Sequence, residues 1–445
     1  MPEQLKRQVV EDATCTFCGC VCDDIVLEVE DGRIVKARNA CVLGTAWFLN
    51  HAPESLPACR IDGQAAPVEE GIRIAAEILT EARYPVVYGL SDTTSEAQRV
   101  ACRIADRIGA CLDTTTSVCH GPSGMAFQGV GEVTCTLGEI KQRADLVVFW
   151  GCNPAESHPR HFTRYSTMPK GFMVPRGRRD RTVVVVDVRK TKSAAAADQF
   201  IRIRPRADFE ALWTLRALVR GAEVDGEHVE AQTGVALERW QELAERMKSC
   251  RFGVLLFGMG LSMTRGKHLN VAAALALARD LNQYTRFTAK PMRGHGNVTG
   301  ADNVVAWQTG FPFGVALNRG FPRFNPGEYT ATDLLCRGEA DAALIIAADP
   351  AANFAEPARE HLRRIPVIVL DPKDTPTTRL AKVTFCTAPY GISAAGTVYR
   401  MDDVPIYLRP VLASPYPSDE EILKRLDAAV AQQLERLTGA PMRLP

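Results

Sequence analysis

The sequence predicts an α/β fold of multi-lobed architecture, built on doubly wound parallel sheets. Continuous apolar runs such as YPVVYGL (84–90) and FGVLLFGMG (252–260) are the first observation, because strands covered on both faces show no polar alternation. Patterns with helical spacing, such as SEAQRVACRIADRIGA, separate these runs. Each run also ends in Gly, Asn, Asp or Pro, at the point where parallel strands carry their ligand loops.

The same alternation continues along the chain. Helical patterns, DFEALWTLRALVRG and HLNVAAALALARDL, lie between the later strands. This order of strand, helix and strand predicts several nucleotide-sized α/β units. The further predicted strands are ADLVVFWGCNP (144–154), RTVVVVDVRKT (181–191), DAALIIAADP (341–350) and PVIVLDP (366–372).

Three segments depart from this alternation. Near the N-terminus, DIVLEVEDGRIVKAR alternates apolar and polar residues around Asp31–Gly32, which predicts a β-hairpin. The stretch 291–329 is rich in Gly, Pro, Asn and aromatic residues, which is typical of a long functional loop. The basic segment 168–181 is expected to be a solvated loop.

Composition narrows the class of protein. A chain of 445 residues suggests roughly three domains, and a net charge of +1 argues against a nucleic acid or a membrane surface as partner. MPEQLKRQVVEDAT has no apolar run, and GVLLFGMGLSM is the nearest approach to a membrane span, so a cytoplasmic protein is expected. Most cytoplasmic thiols stay reduced, so clustered cysteines there favour metal binding or catalysis.

Five of the 14 cysteines lie between Cys15 and Cys41. Cys15, Cys18 and Cys22 have the spacing C-x2-C-x3-C, and Cys41 follows beyond the predicted hairpin. Three thiolates on a tight turn with a distant fourth suit a 4Fe–4S cluster. Tetrahedral zinc is the alternative, and buried structural cysteines are the weaker one. Cys20 has no role by spacing.

These motifs resemble those of a known family. The run CTFCGCVCDD is similar to the N-terminal cluster motif of molybdenum and tungsten bis-pyranopterin oxidoreductases, which include formate dehydrogenases. The runs SVCHGPSG (117–124), CTLGEIKQRADLVVFWGCNPAESHPRHFTRYS (135–166) and MRGHGNVTGADNVVAWQTGFPFG (292–314) resemble the B-type subunit of formylmethanofuran dehydrogenase. The resemblance extends from about residue 13 to about residue 405.

The resemblance implies an active site. Cys119 matches the protein ligand to Mo or W, and a soft thiolate suits such a metal. Without the matching motif, Cys119 would be read as a structural cysteine. His120 is the candidate proton donor and acceptor, and Arg293 offers a planar fork for the carboxylate of formate. Supporting positions are His295, Asn297 and Thr299.

The turns after the strands are candidates for binding two pterin dinucleotides. Acidic residues there suit a ribose or a guanine edge, and a lysine suits a phosphate. The motif GxGxxG is absent, so a simple NAD-binding fold has little support. The candidates are Asn153, His158, Asp187, Lys192, Asp349, Asn353, Asp371 and Thr378.

The resemblance also implies cofactors and a division into domains. The expected cofactors are a 4Fe–4S cluster and a Mo or W bis-(molybdopterin guanine dinucleotide). From the resemblance we expect this chain to lack the C-terminal barrel domain of most single-chain relatives. The predicted domains are an iron–sulfur lobe with the hairpin (1–60), the first part of an α/β pterin-binding lobe (61–135), a second α/β pterin-binding lobe (136–299), the completion of the first lobe (300–405) and a helical tail (406–445).

Two functions from different classes remain. The first is the redox catalytic subunit of a formylmethanofuran dehydrogenase-type complex, which interconverts CO2 and formate. Its expected partners are an amidohydrolase-like subunit, a small subunit that supplies the missing pterin-closing domain, and an iron–sulfur electron-transfer protein. The second is a non-redox scaffold subunit of a bacterial formyltransferase/hydrolase complex that has lost the metal cofactors.

Overall fold

The computed structural model describes residues 7–51 and 56–439, and the chain divides into two compact units. The first unit is Met1–Val118 with His295–Pro445, and the second is Cys119–Gly294. The predicted boundary at 135/136 falls within the second unit, because helix Gly121–Val130 packs on helix His268–Leu281 of that unit, and the predicted boundary at 299/300 falls five residues after its end. The expectation about a signal peptide falls partly on residues 1–6, outside the described residues.

The strands are numbered in chain order within the described residues. They are β1 (Arg7–Cys15), β2 (Cys22–Glu30), β3 (Arg33–Arg38), β4 (Cys59–Ile61), β5 (Gln64–Ala65), β6 (Val86–Gly89), β7 (Cys111–Thr114), β8 (Leu146–Trp150), β9 (Thr182–Asp187), β10 (Gln199–Arg202), β11 (Phe252–Phe257), β12 (Arg286–Pro291), β13 (Val315–Ala316), β14 (Arg323–Phe324), β15 (Ala343–Ile346), β16 (Val367–Leu370), β17 (Val383–Phe385), β18 (Gly396–Tyr399) and β19 (Pro405–Leu408).

The helices follow the same numbering, and among the described residues none is long and apolar enough to cross a membrane. They are α1 (Val42–Leu49), α2 (Val68–Glu81), α3 (Ser95–Ile108), α4 (Gly121–Val130), α5 (Leu137–Arg143), α6 (Pro154–Ser157), α7 (Lys192–Ala195), α8 (Asp208–Val219), α9 (Gly226–Thr233), α10 (Leu237–Ser249), α11 (Met259–Ser262), α12 (His268–Leu281), α13 (Val298–Thr309), α14 (Ala331–Arg337), α15 (Pro350–Asn353), α16 (Glu356–Leu362), α17 (Pro376–Leu380) and α18 (Asp419–Thr438).

The first unit is built around a sheet of order β14-β13-β7-β6-β15-β16-β17-β4-β5, in which the five strands from β7 to β17 run parallel. Successive residues of β15 enter opposite cores. Leu344 and Ile346 pack with α2, α3, α13 and α18, whereas Ala343 and Ile345 pack with α14 and α16. The sheet is therefore covered on both faces, which confirms the predicted α/β class and explains the continuous apolar runs.

The predicted N-terminal hairpin is present as β2 and β3, which pair antiparallel. Asp31 and Gly32 form its turn with φ of 47° and 75°, and a two-residue turn with both φ positive matches the twist of the strands. The strand β1 adds to the other side of β2 and makes a three-stranded sheet.

The C-terminal helix α18 belongs to the first unit, although the sequence pattern assigned it to a separate tail. It packs on α2 and α3, and its apolar residues enter the same core as those helices. The buried carboxylate of Asp427 accepts from Arg103 Nε and Arg107 Nε, each at 2.7 Å. A capping box between Ser418 and Glu421 begins the helix.

The second unit contains a fully parallel sheet of order β10-β9-β8-β11-β12. The strand order reverses between β8 and β11, which is where open α/β sheets bind ligands at their carboxyl edge. At that edge two backbones cross closely: Gly260 N donates to Gly151 O at 3.0 Å. A Cβ atom on Gly151, whose φ is +55°, would lie 2.7 Å from the Gly260 carbonyl carbon.

We predict that Gly151→Ala destabilises the protein more than Gly221→Ala. Both glycines have positive φ, but a Cβ atom on Gly221 would meet nothing within 4 Å. Gly221→Ala carries only the left-handed backbone penalty, roughly 1–2 kcal/mol. Gly151→Ala adds overlap with backbone that cannot move aside, so its free energy of unfolding should be lower by at least a further ~2 kcal/mol. Denaturant unfolding of both variants tests this, and equal losses would contradict it.

Candidate active site

The chain enters the second unit at Cys119, in the turn before α4. The preceding residues, Thr115–Val118, form a 3₁₀ turn, and His120 is the N-cap residue of α4. The Cys119 side chain is partly exposed, whereas His120 is fully buried. A thiolate is favoured at the amino end of a helix, because the backbone N–H groups and the helix dipole stabilise negative charge there. The amino end of α4 therefore favours negative charge near Cys119, and its predicted role as a metal ligand stays a prediction.

The ring of His120 lies deep in the second unit. Its Nδ1 is 3.0 Å from Ser123 Oγ, and its ring centroid is 6.2 Å from that of Phe257. Burial, with a smaller contribution from the positive charge of Arg293, lowers the pKa of His120 to about 3, although the Met292 backbone opposes the shift. The ring is therefore a neutral imidazole at physiological pH, not a group that titrates near neutrality as histidine usually does.

Arg293 follows the carboxyl end of β12, and only 5% of the residue is exposed. Its backbone oxygen accepts a hydrogen bond from His158 Nε2 at 2.7 Å, and His158 Nδ1 is 2.8 Å from Ser157 Oγ. His158 thus ties the loop after α6 to the backbone of Arg293. The structure brings Cys119, His120 and Arg293 into one unit, with the charge of Arg293 within electrostatic reach of the His120 ring.

Asn153 joins two loops at the carboxyl edge of the second sheet. Its Oδ1 accepts from Ser193 N at 3.1 Å and from Ser193 Oγ at 2.7 Å. These bonds connect the turn after β8 to the helix that follows β9. Nearby, Lys192 Nζ pairs with Glu156 at 2.9 Å on the surface. Asn153 and Lys192 therefore stabilise the loops in this structure, and their predicted contacts with a dinucleotide stay predictions.

Asp187 ends β9 with its carboxylate partly exposed. Its Oδ1 accepts only the backbone N–H of Arg189, at 3.2 Å, among its hydrogen bonds in the described part of the chain. An aspartate that bonds the backbone two residues on forms a tight turn and still has acceptor capacity left. Asp187 therefore remains available to accept from a bound ligand.

Sequence reasoning missed a basic cavity of about 570 Å³ at the same edge. Arg206, which follows β10, and Arg265 and Lys267, which follow β11, line it together with Thr264 and His268. Beside it, Ser262 Oγ and Asn270 Oδ1 are buried without a hydrogen-bond partner in the described residues. Such a set of cations and unsatisfied polar atoms fits a phosphorylated ligand. The rule about strand ends could have found these residues, had it been applied to RPRAD and TRGKH.

The candidate residues of the first unit lie at the carboxyl edge of its sheet. Asp349 Oδ1 accepts from Thr377 N at 3.0 Å and from Thr377 Oγ1 at 2.5 Å. Asn353 Nδ2 donates to Asp349 O at 3.0 Å. Thr378 closes a capping box with Thr375 at the start of α17, so its side chain supports that helix.

At this edge, the buried carboxyl group of Asp371 has a raised pKa. Burial, together with the neighbouring carboxylates of Asp419, Asp349 and Asp92, raises the pKa of its carboxyl to about 7, although Lys373 N opposes the shift. An acidic cluster of this kind repels phosphate but suits N–H donors. The two units therefore present carboxyl edges of opposite character, basic in the second and acidic in the first.

The supporting positions His295, Asn297 and Thr299 belong to the first unit. His295 Nδ1 is 3.0 Å from Asp92 Oδ2. Asn297 is fully buried, where it donates to Thr93 O at 2.8 Å and accepts from Tyr399 N at 2.7 Å. Thr299 is buried in the first turn of α13. Asn297 and Thr299 therefore hold this loop within the first unit.

The N-terminal cysteines are neighbours in the first unit. Cys15 on β1 pairs with Cys22 on β2. The Cys18 and Cys20 side chains share a hydrogen bond, which lowers the pKa of Cys18 and raises that of Cys20. Burial raises the pKa of Cys15 well above the usual thiol range, and the other thiols add to the shift. Within residues 7–51 and 56–439, no three His, Cys, Asp or Glu side chains are arranged as metal ligands.

Gly44 packs closely against two of these sulfurs. A Cβ atom on Gly44 would lie 3.0 Å from Cys15 Sγ and 3.9 Å from Cys41 Sγ. Cys41 is also the N-cap residue of α1 and accepts from Gly44 N at 3.5 Å. The sulfurs of Cys15 and Cys41 therefore both lie near Gly44, and the assignment of Cys15, Cys18, Cys22 and Cys41 as ligands of one cluster, without Cys20, stays a prediction.

Comparison with known proteins shows the family. The chain is 45% identical over 436 residues to the B-type subunit of the tungsten-containing formylmethanofuran dehydrogenase 2 of Methanocaldococcus jannaschii, a match that covers 96% of this chain and 100% of that protein. It is 27% identical over 304 residues to the B-type subunit of the formyltransferase/hydrolase complex Fhc of Methylorubrum extorquens, covering 66% of this chain and 75% of that protein.

A search of family models gave no match. Among solved structures, a chain of the formyltransferase/hydrolase complex FhcABCD from Methylorubrum extorquens, crystallised with methylofuran, has the same fold, with a TM-score of 0.68 at 24% identity over 84% of this chain and 99% of that chain. Nearly the full length of the chain thus matches one kind of protein in sequence. The chain belongs to the family of B-type subunits of formylmethanofuran dehydrogenase.

Proposed function

We propose that the chain is the redox catalytic subunit of a formylmethanofuran dehydrogenase-type complex and interconverts CO2 and formate. The observation that carries this proposal is the buried guanidinium of Arg293 beside the neutral ring of His120, next to a partly exposed cysteine at a helix start. The similarity to a tungsten-containing relative over 96% of the chain supports it. In this proposal a partner subunit exchanges formate with the N-formyl group of a methanofuran-type carrier.

The residues of the second unit fit a Mo or W bis-pyranopterin centre. Cys119 would hold the metal, because a thiolate is a soft ligand and the amino end of α4 stabilises its charge. A centre bound there supplies two-electron transfer. Arg293 binds the carboxylate of formate through two parallel N–H groups, and its burial strengthens that ion pair. His120 takes the proton of the substrate at a ring nitrogen, while Ser123 fixes the orientation of the ring.

The basic cavity is the proposed site for the phosphates of one pterin dinucleotide. Arg206, Arg265 and Lys267 supply its positive charge. Asp187 and the acidic edge of the first unit, with Asp349 and Asp371, would accept from guanine or pterin N–H groups. In the same proposal Asn153, His158, Lys192, Asn353 and Thr378 hold the loops around the two dinucleotides.

The complex also needs an electron path and a closing domain. We propose that Cys15, Cys18, Cys22 and Cys41 hold a 4Fe–4S cluster that passes electrons to an iron–sulfur partner. A separate small subunit would close over the pterins, and an amidohydrolase-like subunit would carry the formyl chemistry. The scaffold alternative draws on the similarity to the B-type subunit of Fhc, which covers less of the chain at lower identity.

We predict that Cys119→Ser abolishes formate oxidation with an artificial electron acceptor and leaves formyl hydrolysis by the complex intact. A serine oxygen is a harder ligand than a thiolate, so both the retention and the potential of the metal should suffer. Cys250→Ser is the control, because Cys250 is a partly buried thiol of the same unit whose Sγ donates to Met247 O. If wild type, Cys119→Ser and Cys250→Ser show the same formate oxidation, the proposed role of Cys119 is wrong.

We predict that Arg293→Lys lowers kcat/KM for formate by about 30- to 1000-fold, equivalent to roughly 2–4 kcal/mol of transition-state stabilisation. Lysine keeps the positive charge but loses the planar two-point fork, so formate binds weakly and misaligned. Arg220→Lys, at an exposed residue of the same unit, controls for the exchange itself. Steady-state kinetics measure both variants, and an unchanged kcat/KM in Arg293→Lys contradicts the assignment.

We predict that Gly44→Ala lowers the iron content of the purified protein. Wild type should contain about four iron atoms per chain, as for one 4Fe–4S cluster. A methyl group at Gly44 takes the space beside Cys15 Sγ and displaces that sulfur. Gly138→Ala is the control, because it places a methyl group in another helix with an ordinary contact at 3.6 Å. Iron analysis after anaerobic purification is the readout, and equal iron in both variants would refute the proposed cluster position.

A further inference from the structure

We infer that the amino edge of the second unit's sheet carries a docking surface for a partner protein with an apolar pocket rimmed by carboxylates. This inference rests on the proposed multi-subunit assembly and goes beyond it, because it names a surface and the chemistry of what binds there. The surface has two parts. The first is the Phe172 turn, residues 171–174, and the second is the arginine pocket, a cavity of about 590 Å³ lined by Arg143, Arg251 and Arg286 with Tyr284 and Met173.

The Phe172 turn presents a large apolar side chain to solvent on a fixed backbone. Phe172 is 88% exposed. Gly171 and Val174 exchange two backbone hydrogen bonds of 3.1 Å, and Val174 is fully buried beneath the turn. The N–H of Phe172 donates to Gln142 Oε1 at 2.9 Å.

These hydrogen bonds order the backbone of the turn before any partner binds, so the turn has less conformational entropy to lose on binding. Gly171 packs so closely that a Cβ atom there would lie 2.2 Å from Lys141 O, so the backbone of the turn is held against α5. Because the backbone is already ordered, binding would cost mainly the side-chain freedom of Phe172, and aromatic residues presented in this way make effective anchors. The turn is therefore shaped for insertion into a pocket of another protein.

The arginine pocket lies directly beside the turn. Arg251 Nη2 donates to Met173 O at 2.8 Å, and Met173 lines the pocket. Arg251 is paired with Asp145 at 3.1 Å, but Arg143 and Arg286 have no ion-pair partner among the described residues. On the turn side, Lys170 and Arg179 are exposed and likewise lack an ion pair in the part of the chain described.

The arginines of the pocket are not needed as hydrogen-bond donors to the last carbonyl groups of α12. Backbone N–H groups of residues 282–285 already donate to the last carbonyls of α12, those of residues 278–281. Asn282 Nδ2 adds a further bond to Ala278 O at 2.7 Å. The unpaired positive charge is therefore available to an outside group, and carboxylates are the complementary one.

The position of this surface separates it from the candidate active site. The pocket lies where β11 and β12 begin, at Phe252 and Arg286, whereas the basic cavity and Arg293 follow the ends of strands in the same sheet. Ligand loops of parallel sheets occupy the carboxyl edge. A second basic site at the amino edge is thus better suited to holding a protein than to holding the proposed dinucleotide.

The test uses the full chain purified with its partner proteins, and mass photometry at nanomolar dilution gives the dissociation constant of the assembly. Phe172→Ala and the double variant Arg143→Glu/Arg286→Glu should each weaken assembly by about 10- to 100-fold. Wild-type assembly should weaken as salt is raised, and that of the double variant should respond less, because salt screens the charge pairs. Phe321→Ala and Arg99→Glu are matched controls at exposed residues of the first unit and should stay within about twofold of wild type.

Assembly of both test variants with wild-type affinity would overturn the inference. It would also fall if the isolated chain forms a dimer that Phe172→Ala dissolves, because a second copy would then be the occupant. Unchanged midpoints of thermal unfolding show that the variants fold. The assay needs no turnover of formate, so a complex that depends on this surface but oxidises no formate keeps the inference and removes the proposed function.

Discussion

The arrangement of the candidate site depends on the point where the strand order of the second sheet reverses, between β8 and β11. Chain segments leave these neighbouring strands in opposite directions, which opens a crevice at the carboxyl edge. The backbones of Gly151 and Gly260 cross there at hydrogen-bond distance, and side chains at both positions would force the two loops apart. The same edge carries the basic cavity and the end of β12, which is followed by Arg293.

The second constraint is the burial of charge. A guanidinium as buried as that of Arg293 binds a carboxylate more strongly than an exposed one, because little water is present to screen the pair. Its charge adds to the effect of burial and helps to keep His120 neutral, which leaves the ring unprotonated at neutral pH but also makes it a weak base. His158 fixes the backbone that presents Arg293. The groups to which we assign substrate binding, proton transfer and positioning thus all lie in the buried interior of one unit.

Local patterns predicted much of the fold. The Asp31–Gly32 pair predicted the hairpin because both residues can adopt positive φ, and the apolar runs predicted the strands of both sheets because those strands are covered on two faces. The family resemblance was needed for Cys119, since nothing in the residue itself separates a ligand from a structural thiol.

Features that depend on tertiary packing were not predicted. The boundaries of the two units follow from α4 packing on α12, and the membership of α18 follows from its contact with α2 and α3, neither of which leaves a local signal. The basic cavity is lined by Arg206 and Lys267, which lie far apart in sequence. They come together because β10 and β11 belong to one parallel sheet and end at the same carboxyl edge. The charge of segment 168–181 predicts a solvated loop and gives no sign of the anchored Phe172 turn.

The central claim is that this chain carries out redox chemistry and is not a scaffold. Metal analysis of the purified complex tests it most directly, because the redox reaction needs bound metal cofactors and a scaffold does not. The account predicts about one Mo or W atom and, from the N-terminal cysteines, about four Fe atoms for each copy of this chain. A fully assembled complex that hydrolyses its formyl carrier and contains neither Mo nor W would contradict it.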